Sequence, residues 1–285
     1  MNAEKRISRL AQMACILESC APKPGNVNRS HDFPDTTLED FLISAIAIGP
    51  ALENAGPMGV GHTVLQAVAD TRRSVRSNTN LGMILLLVPL VKACLKSAGC
   101  AQDLRQNLGA VLDSLTVEDA RLAYAAIRLA QPAGLGHVPQ ADIAEEPSVT
   151  LLQAMSLARE RDAVAREYVT GYAITFEIGL PALKEASSRG AGFSAAVVQT
   201  FLILLSRVPD TLIARKKGIE EARRVSLWAG EVLARGGIFT PGGRAELAEM
   251  DRGLRDPAHE LNPGTAADLT AAAIFLALFE GRVSG

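Results

Sequence analysis

Residues 23–35, Lys23-Pro-Gly-Asn-Val-Asn-Arg-Ser-His-Asp-Phe-Pro-Asp35, hold little that a core could use and much that a reaction could. Lys23 and Arg29 can meet phosphate, while His31, Asp32 and Asp35 can hold a metal ion or move a proton. Pro22, Pro24 and Gly25 stop the preceding helix and set a turn. A solvated connector would suit the same composition, so this stretch alone leaves connector and site both open.

Three further polar clusters open apolar helices, where free backbone N–H groups need partners. They are Asn78-Thr79-Asn80 before Leu81-Gly82, Asp210 with Arg215, Lys216 and Lys217 just beyond, and Asn262-Pro-Gly-Thr-Ala-Ala-Asp268. In the last, Asn262 suits an N-cap, Pro263 the first helical position, and Gly264 a close approach to the backbone. Such a helix start offers N–H donors and a positive dipole to an anion, with Thr265 adding a hydroxyl. Asp268 falls about one and a half turns in. Each cluster alone also suits a plain capped helix. Several carboxylates together with several cations match what Mg²⁺ and a polyphosphate require. No G-x-x-x-x-G-K-[ST], strand-linked G-x-G-x-x-G, H-E-x-x-H or G-x-S-x-G occurs, which excludes the common nucleotide-binding, metalloprotease and α/β-hydrolase motifs.

The elements that position these clusters read as helices throughout. With 285 residues, 48% apolar and 21% charged, the chain can bury a substantial core. A net charge of −2 and 4% aromatic residues argue against nucleic acid or an anionic membrane as a partner. Ile7, Leu10, Ala14 and Leu17 recur at helical spacing, and Leu81–Val91 and Phe193–Leu205 are apolar on every side, as a central buried helix pair would be. Pro89 is expected to kink or interrupt the first of that pair. Residues 131–148, with Gly134-Leu-Gly-His137 and Asp142, read as a linker or as a wall of a cleft, and His259 as a surface or hydrogen-bonded residue. Cys15, Cys20, Cys94 and Cys100 lack zinc spacing and read as reduced thiols, and no stretch reads as a signal or membrane span. The expectation is an all-α, cytoplasmic, single domain over 1–285, of about eleven or twelve helices, with a homodimer compatible.

In this order the clusters resemble the triphosphoribosyl-dephospho-CoA synthase family. The resemblance runs nearly end to end, on Lys23-Pro-Gly-Asn26-Val-Asn-Arg29, Asn78-Thr79-Asn80-Leu-Gly82, Asp162 with Tyr168, Asp210-Thr211 and Pro263-Gly-Thr-Ala-Ala-Asp-Leu269. It implies an all-helical transferase that moves triphosphoribose from ATP to a ribose hydroxyl of dephospho-CoA and releases adenine, with Mg²⁺ on the triphosphate. It further implies that Lys23, Asn26, Arg29, Asn78, Thr79, Asn80, Arg215, Asn262, Gly264 and Thr265 bind substrate. Asp35, Asp210 and Asp268 would ligate Mg²⁺ or face the ribosyl cation, and His31 or Asp32, with Asp35 beside them, would supply the base.

This chain departs from the family pattern in two motifs. Asn78-Thr-Asn-Leu-Gly82 stands where many members read Asn-Thr-His-Lys-Gly, and Asn262-Pro-Gly-Thr-Ala266 where they read Ser-Pro-Gly-Gly-Ser. The chain therefore looks like a diverged branch. A different acceptor in cofactor synthesis, such as a pterin-type one-carbon carrier, stays open as an alternative. So does a non-catalytic nucleotide-binding helical protein.

Overall fold

The structure is a computed structural model and describes residues 2–97, 103–134, 136, 140–256 and 258–281. Among them the regular elements are all helical, and two isolated bridges, Asn28–His31 and Phe33–Thr36, are the β pairing present. The helices are α1 (Ala3–Cys20), α2 (Leu38–Ala47), α3 (Gly49–Glu53), α4 (Val60–Ser74), α5 (Leu81–Lys96), α6 (Leu104–Asp113), α7 (Val117–Ala130) and α8 (Leu151–Ala158). They continue with α9 (Ala163–Thr170), α10 (Leu180–Ser188), α11 (Phe193–Arg207), α12 (Thr211–Lys217), α13 (Ile219–Ala234), α14 (Pro241–Leu254) and α15 (Gly264–Phe279). These fifteen exceed the eleven or twelve expected from the sequence, in part because Gly49-Pro50, expected only to stop a helix, starts a separate short one. Gly171 and Tyr172, both at φ +62°, close α9, and a π-turn over Thr175–Gly179 then leads directly into α10.

Local chemistry fixes many of these starts. Thr37 with Asp40, Thr116 with Asp119 and Thr150 with Gln153 form reciprocal capping boxes on α2, α7 and α8. Asp119 also accepts the Gly61 N–H at 2.8 Å, which ties the start of α4 to that of α7. Gly61 is required there, since a β-carbon would meet the Asp119 backbone.

One hydrophobic core draws on every layer from α1 to α15, and α15 lies against α1, α5, α10 and α11 at its centre. From Thr265 to Phe279 every residue of α15 is buried except Asp268. Side chains such as Ile274, Phe275 and Leu276, all essentially inaccessible, each contribute roughly 2 kcal/mol by leaving water. A charge in such a helix requires a reason. The central pair expected from the sequence, α5 and α11, is thus joined by a helix more completely buried than either.

Pro89 does not interrupt α5, which runs on to Lys96. Proline leaves the carbonyl four residues earlier without its N–H partner. That carbonyl, on Leu85, accepts the Tyr168 hydroxyl at 2.7 Å, and the Leu86 carbonyl accepts the Tyr172 hydroxyl at 2.9 Å. Two buried tyrosines therefore complete the helix that proline would have broken.

Cys15, Cys20 and Cys94 carry free thiols, and Cys100 lies outside the described residues. No single helix is long and apolar enough, among the described residues, to cross a membrane.

Candidate active site

The starts of α9, α12 and α15 meet and are laced together. Asp162 caps α9 by accepting from Val164 N at 2.8 Å and Ala165 N at 3.3 Å, and its other oxygen takes Arg215 Nη1 at 2.8 Å. Asp210 accepts from Leu212 N at 2.9 Å and Ile213 N at 3.1 Å on its own helix and from Ala266 N at 2.8 Å on α15. Thr211 Oγ1 lies 3.0 Å from Thr265 Oγ1 and accepts the Ala163 N–H at 3.3 Å. Burial lifts the Asp210 carboxyl to about 6, against the pull of its three backbone donors and Arg215.

The start of α5 comes to the same place. Thr79 and Asn80 are buried and hold it to α2 and α4: Thr79 Oγ1 lies 2.6 Å from Ser44 Oγ, and Asn80 Nδ2 reaches Thr71 Oγ1 at 3.3 Å. Asn78 Oδ1 accepts the Leu81 N–H at 3.3 Å. One turn on, a β-carbon on Gly82 would overlap the Asp268 carboxylate, so the two motifs that frame the sequence touch through a glycine.

These starts face a cavity of about 890 Å³, near the upper end of the roughly 300–1,000 Å³ usual for small-molecule sites. Asp268, Arg215, Lys216, Arg161 and Asn262 line it, and Ile127, Leu151 and Met155 add apolar lining. Gly134, Gly136 and Asp142 also line it, so the irregular stretch is a wall of a cleft; His137 lies outside the described residues. Asp268 accepts no hydrogen bond from the described residues. Burial, then the charges of Glu18, Asp210 and Asp162, push its carboxyl well above the usual range. Burial lowers the Lys216 ammonium, whose Nζ donates to the His259 carbonyl at 2.9 Å. Buried polar atoms without a hydrogen-bond partner belong to its lining residues as well: Ser77 Oγ, Arg215 Nε, Asn262 Oδ1 and both ring nitrogens of His259. A cavity lined with unmet donors and acceptors is a cavity built for a polar ligand.

The structure redistributes the residues singled out in the sequence. Asn26, Asp35, Asn78, Thr79, Asn80, Arg215, Asn262, Gly264, Thr265 and Asp268 all line the cavity. Lys23 does not. It is 1% exposed and its Nζ sits 2.9 Å from Glu18 Oε1 and 2.6 Å from the Glu18 carbonyl, so its charge is neutralised inside the fold. Arg29 is exposed and donates to the Cys20 carbonyl at 3.0 Å. His31 and Asp32 stay outside the cavity, because the Asn28–His31 bridge turns that segment outward and Asp32 accepts the Leu38 N–H at 2.7 Å. A base at either residue is therefore corrected. Nor are Asp35, Asp210 and Asp268 a ligand triad: Asp210 holds two helix starts, and the described residues contain no cluster of three His, Cys, Asp or Glu disposed around a metal ion. The α15 cap is Pro263 rather than Asn262, and Leu212 occupies the space beside Gly264 that a ligand was expected to use.

Sequence reasoning passed over Arg161, Phe33 and His259, all of which line the cavity. The Phe33 and His259 rings stack with centroids 3.8 Å apart and planes 15° apart. His259 lies three residues before Asn262, and that proximity to a cluster is the one signal available in the sequence.

A family described as ATP:dephospho-CoA triphosphoribosyl transferase matches residues 4–284. A protein of Pseudomonas fluorescens named as a probable 2-(5''-triphosphoribosyl)-3'-dephosphocoenzyme-A synthase is 30% identical, over 95% of this chain and 90% of its own. The Klebsiella pneumoniae protein of that name is 26% identical over 100% of this chain and 98% of its own. A crystal structure from Archaeoglobus fulgidus, described as a candidate triphosphoribosyl-dephospho-CoA synthase, superposes with a TM-score of 0.65 at 34% identity, covering 84% of this chain and 99% of that one.

Proposed function

Because the chain belongs to the ATP:dephospho-CoA triphosphoribosyl transferase family, we propose that it moves the triphosphoribosyl group of ATP to a ribose hydroxyl of dephospho-CoA and releases adenine. The observation that carries this reading is the convergence of the α5, α9 and α15 starts, with Arg215, on a cavity where Asp268 is, among the described residues, the one lining carboxylate that accepts no protein hydrogen bond. Helix starts and guanidinium groups favour the triphosphate. Cleavage of the glycosidic bond builds positive charge on the ribose, which a carboxylate beside the sugar stabilises.

Asp268 fits that role. Half-buried and within the field of other carboxylates, it gains most from a cation placed next to it, either the developing ribosyl cation or a metal ion. Mg²⁺, when bound, would neutralise charge on the triphosphate, with Asp268 as the carboxylate placed to hold it and Asp35 as a second cavity-facing carboxylate. Asp162 holds Arg215 towards the phosphates, and Asp210 and Lys23 act behind the cavity wall as positioning residues. The Phe33–His259 stack offers a flat face to the purine.

The test is direct. Purified protein with ATP, Mg²⁺ and dephospho-CoA should yield free adenine and an acceptor heavier by one triphosphoribosyl group, with no adenine when the acceptor is omitted. Adenine without an acceptor would identify a hydrolase, and ATP binding with no adenine would identify a nucleotide-binding protein.

A further inference from the structure

The substrates of this reaction are both polyanions, and the cavity draws cationic groups from two elements, Arg72 and Arg76 at the end of α4 and Arg215 and Lys216 on α12. We propose that these are separate anion subsites, and that Arg72 and Arg76, with Ser77, hold the diphosphate of the acceptor. The inference rests on the transferase reading above and assigns the two sets of cations in its site.

Arg72 lies in the last turn of α4 and Arg76 just past it, and both line the cavity. Arg72 Nη1 donates to the Arg76 backbone carbonyl, which keeps both at one corner. Cations commonly sit at a helix C-terminus for the sake of its dipole. Arg73 is such a residue: it pairs with Asp70 at 2.5 Å and does not line the cavity. Arg72 and Arg76 differ, since neither forms an ion pair with a carboxylate among the described residues. Two cavity-lining guanidinium groups without an acid leave their charge to be met by an anion in the cavity. Ser77 beside them has a buried Oγ with no partner.

Charge and shape decide which anion belongs here. The triphosphate is the more highly charged substrate and suits Arg215 and Lys216, with the α9 and α15 starts beside them. A diphosphate diester carries one negative charge on each phosphoryl group, which a pair of guanidinium groups neutralises without a metal. Dephospho-CoA has such a diester, followed by a long, weakly polar pantetheine arm. A recess of about 10 Å³, room for one water-sized group, joins Arg72 and Ser77 to Ala130 at the end of α7. Ile127, Leu151 and Met155 extend that wall along α7 and α8, where the arm would lie. Placing both polyphosphates on one pair of cations would bring their charges together with too few cations to offset them.

Calorimetric titration of ATP with Mg²⁺ and of dephospho-CoA, each alone, separates the subsites without requiring turnover. The Arg72→Ala/Arg76→Ala protein should bind dephospho-CoA at least tenfold more weakly than the wild type and ATP within twofold. Arg72→Lys/Arg76→Lys should recover part of the loss, and pantetheine, which lacks the diphosphate, should bind both proteins equally. Equal weakening of both nucleotides, or of neither, would overturn the assignment. Wild-type protein that binds both substrates but releases no adenine would instead overturn the transferase reading and leave this readout intact.

Discussion

The carboxylate of Asp268 lies where a β-carbon on Gly82 would have to be, so the second residue of α5 and the fifth of α15 are matched across the site. Glycine to alanine near a helix start ordinarily raises helix stability, by up to about 1 kcal/mol. Here Gly82→Ala is predicted to do the opposite. Overpacking costs about 1–3 kcal/mol, and Asp268 is displaced from the cavity, so adenine release should fall at least a hundredfold. Gly82→Ala/Asp268→Ala should regain the lost stability in urea denaturation while staying inactive. A single variant as stable and active as the wild type would remove this contact from the mechanism.

Asp210→Asn tests whether that carboxylate does chemistry or holds the site together. Its oxygens accept from Leu212, Ile213 and Ala266, and an amide would point N–H at N–H on one of them. Loss of buried charge-assisted bonds should cost roughly 2–4 kcal/mol, with activity falling alongside stability. Asp268→Asn should instead lose activity with no loss of stability, its denaturation midpoint at neutral pH equal to or above that of the wild type, because it removes a carboxylate that its surroundings disfavour. If Asp210→Asn were inactive yet fully stable, the positioning role would be wrong.

Amphipathic and all-apolar runs made the helices legible. What periodicity cannot show is a rescue from elsewhere in the chain. Pro89 is a stop signal within its own segment, and only the fold brings the Tyr168 hydroxyl to the freed Leu85 carbonyl. The site divided in the same way. Clusters at helix starts pointed to Asn78, Arg215, Thr265 and Asp268, because an uncapped helix start is a local property. Lys23 was misleading for the same reason: nothing local says that Glu18, five residues earlier, turns back to take its charge. Arg72, Arg76 and His259 were invisible as site residues, since each has an ordinary local explanation and becomes notable only by facing the cavity.

The Phe33–His259 stack is predicted to serve the purine of ATP. Phe33→Ala should raise the KM for ATP by about fivefold or more, the effect of losing about 1 kcal/mol of stacking. Phe33→Trp should restore it, and kcat should change little in either. A fall in kcat with unchanged KM would place Phe33 outside purine binding.

Glu167 gives a pH prediction separate from catalysis. Its carboxylate is buried at the π-turn, taking Ile174 N at 2.9 Å, Thr175 N at 2.7 Å and the Thr175 hydroxyl. Burial outweighs those donors and raises it from 4.5 to about 7. A carboxyl whose folded value is raised binds its proton more tightly in the folded state. Its contribution is therefore fully present below about 4.5 and is lost as pH rises through about 7. At about 1.4 kcal/mol per unit that loss is on the order of 3 kcal/mol. Glu167→Gln cannot titrate, so it should lack this decline even though its amide disturbs the turn. Urea denaturation of both proteins from pH 5 to pH 8 should show the wild type's advantage narrowing as pH rises. Parallel curves across that range would mean that Glu167 stays ionised in the fold.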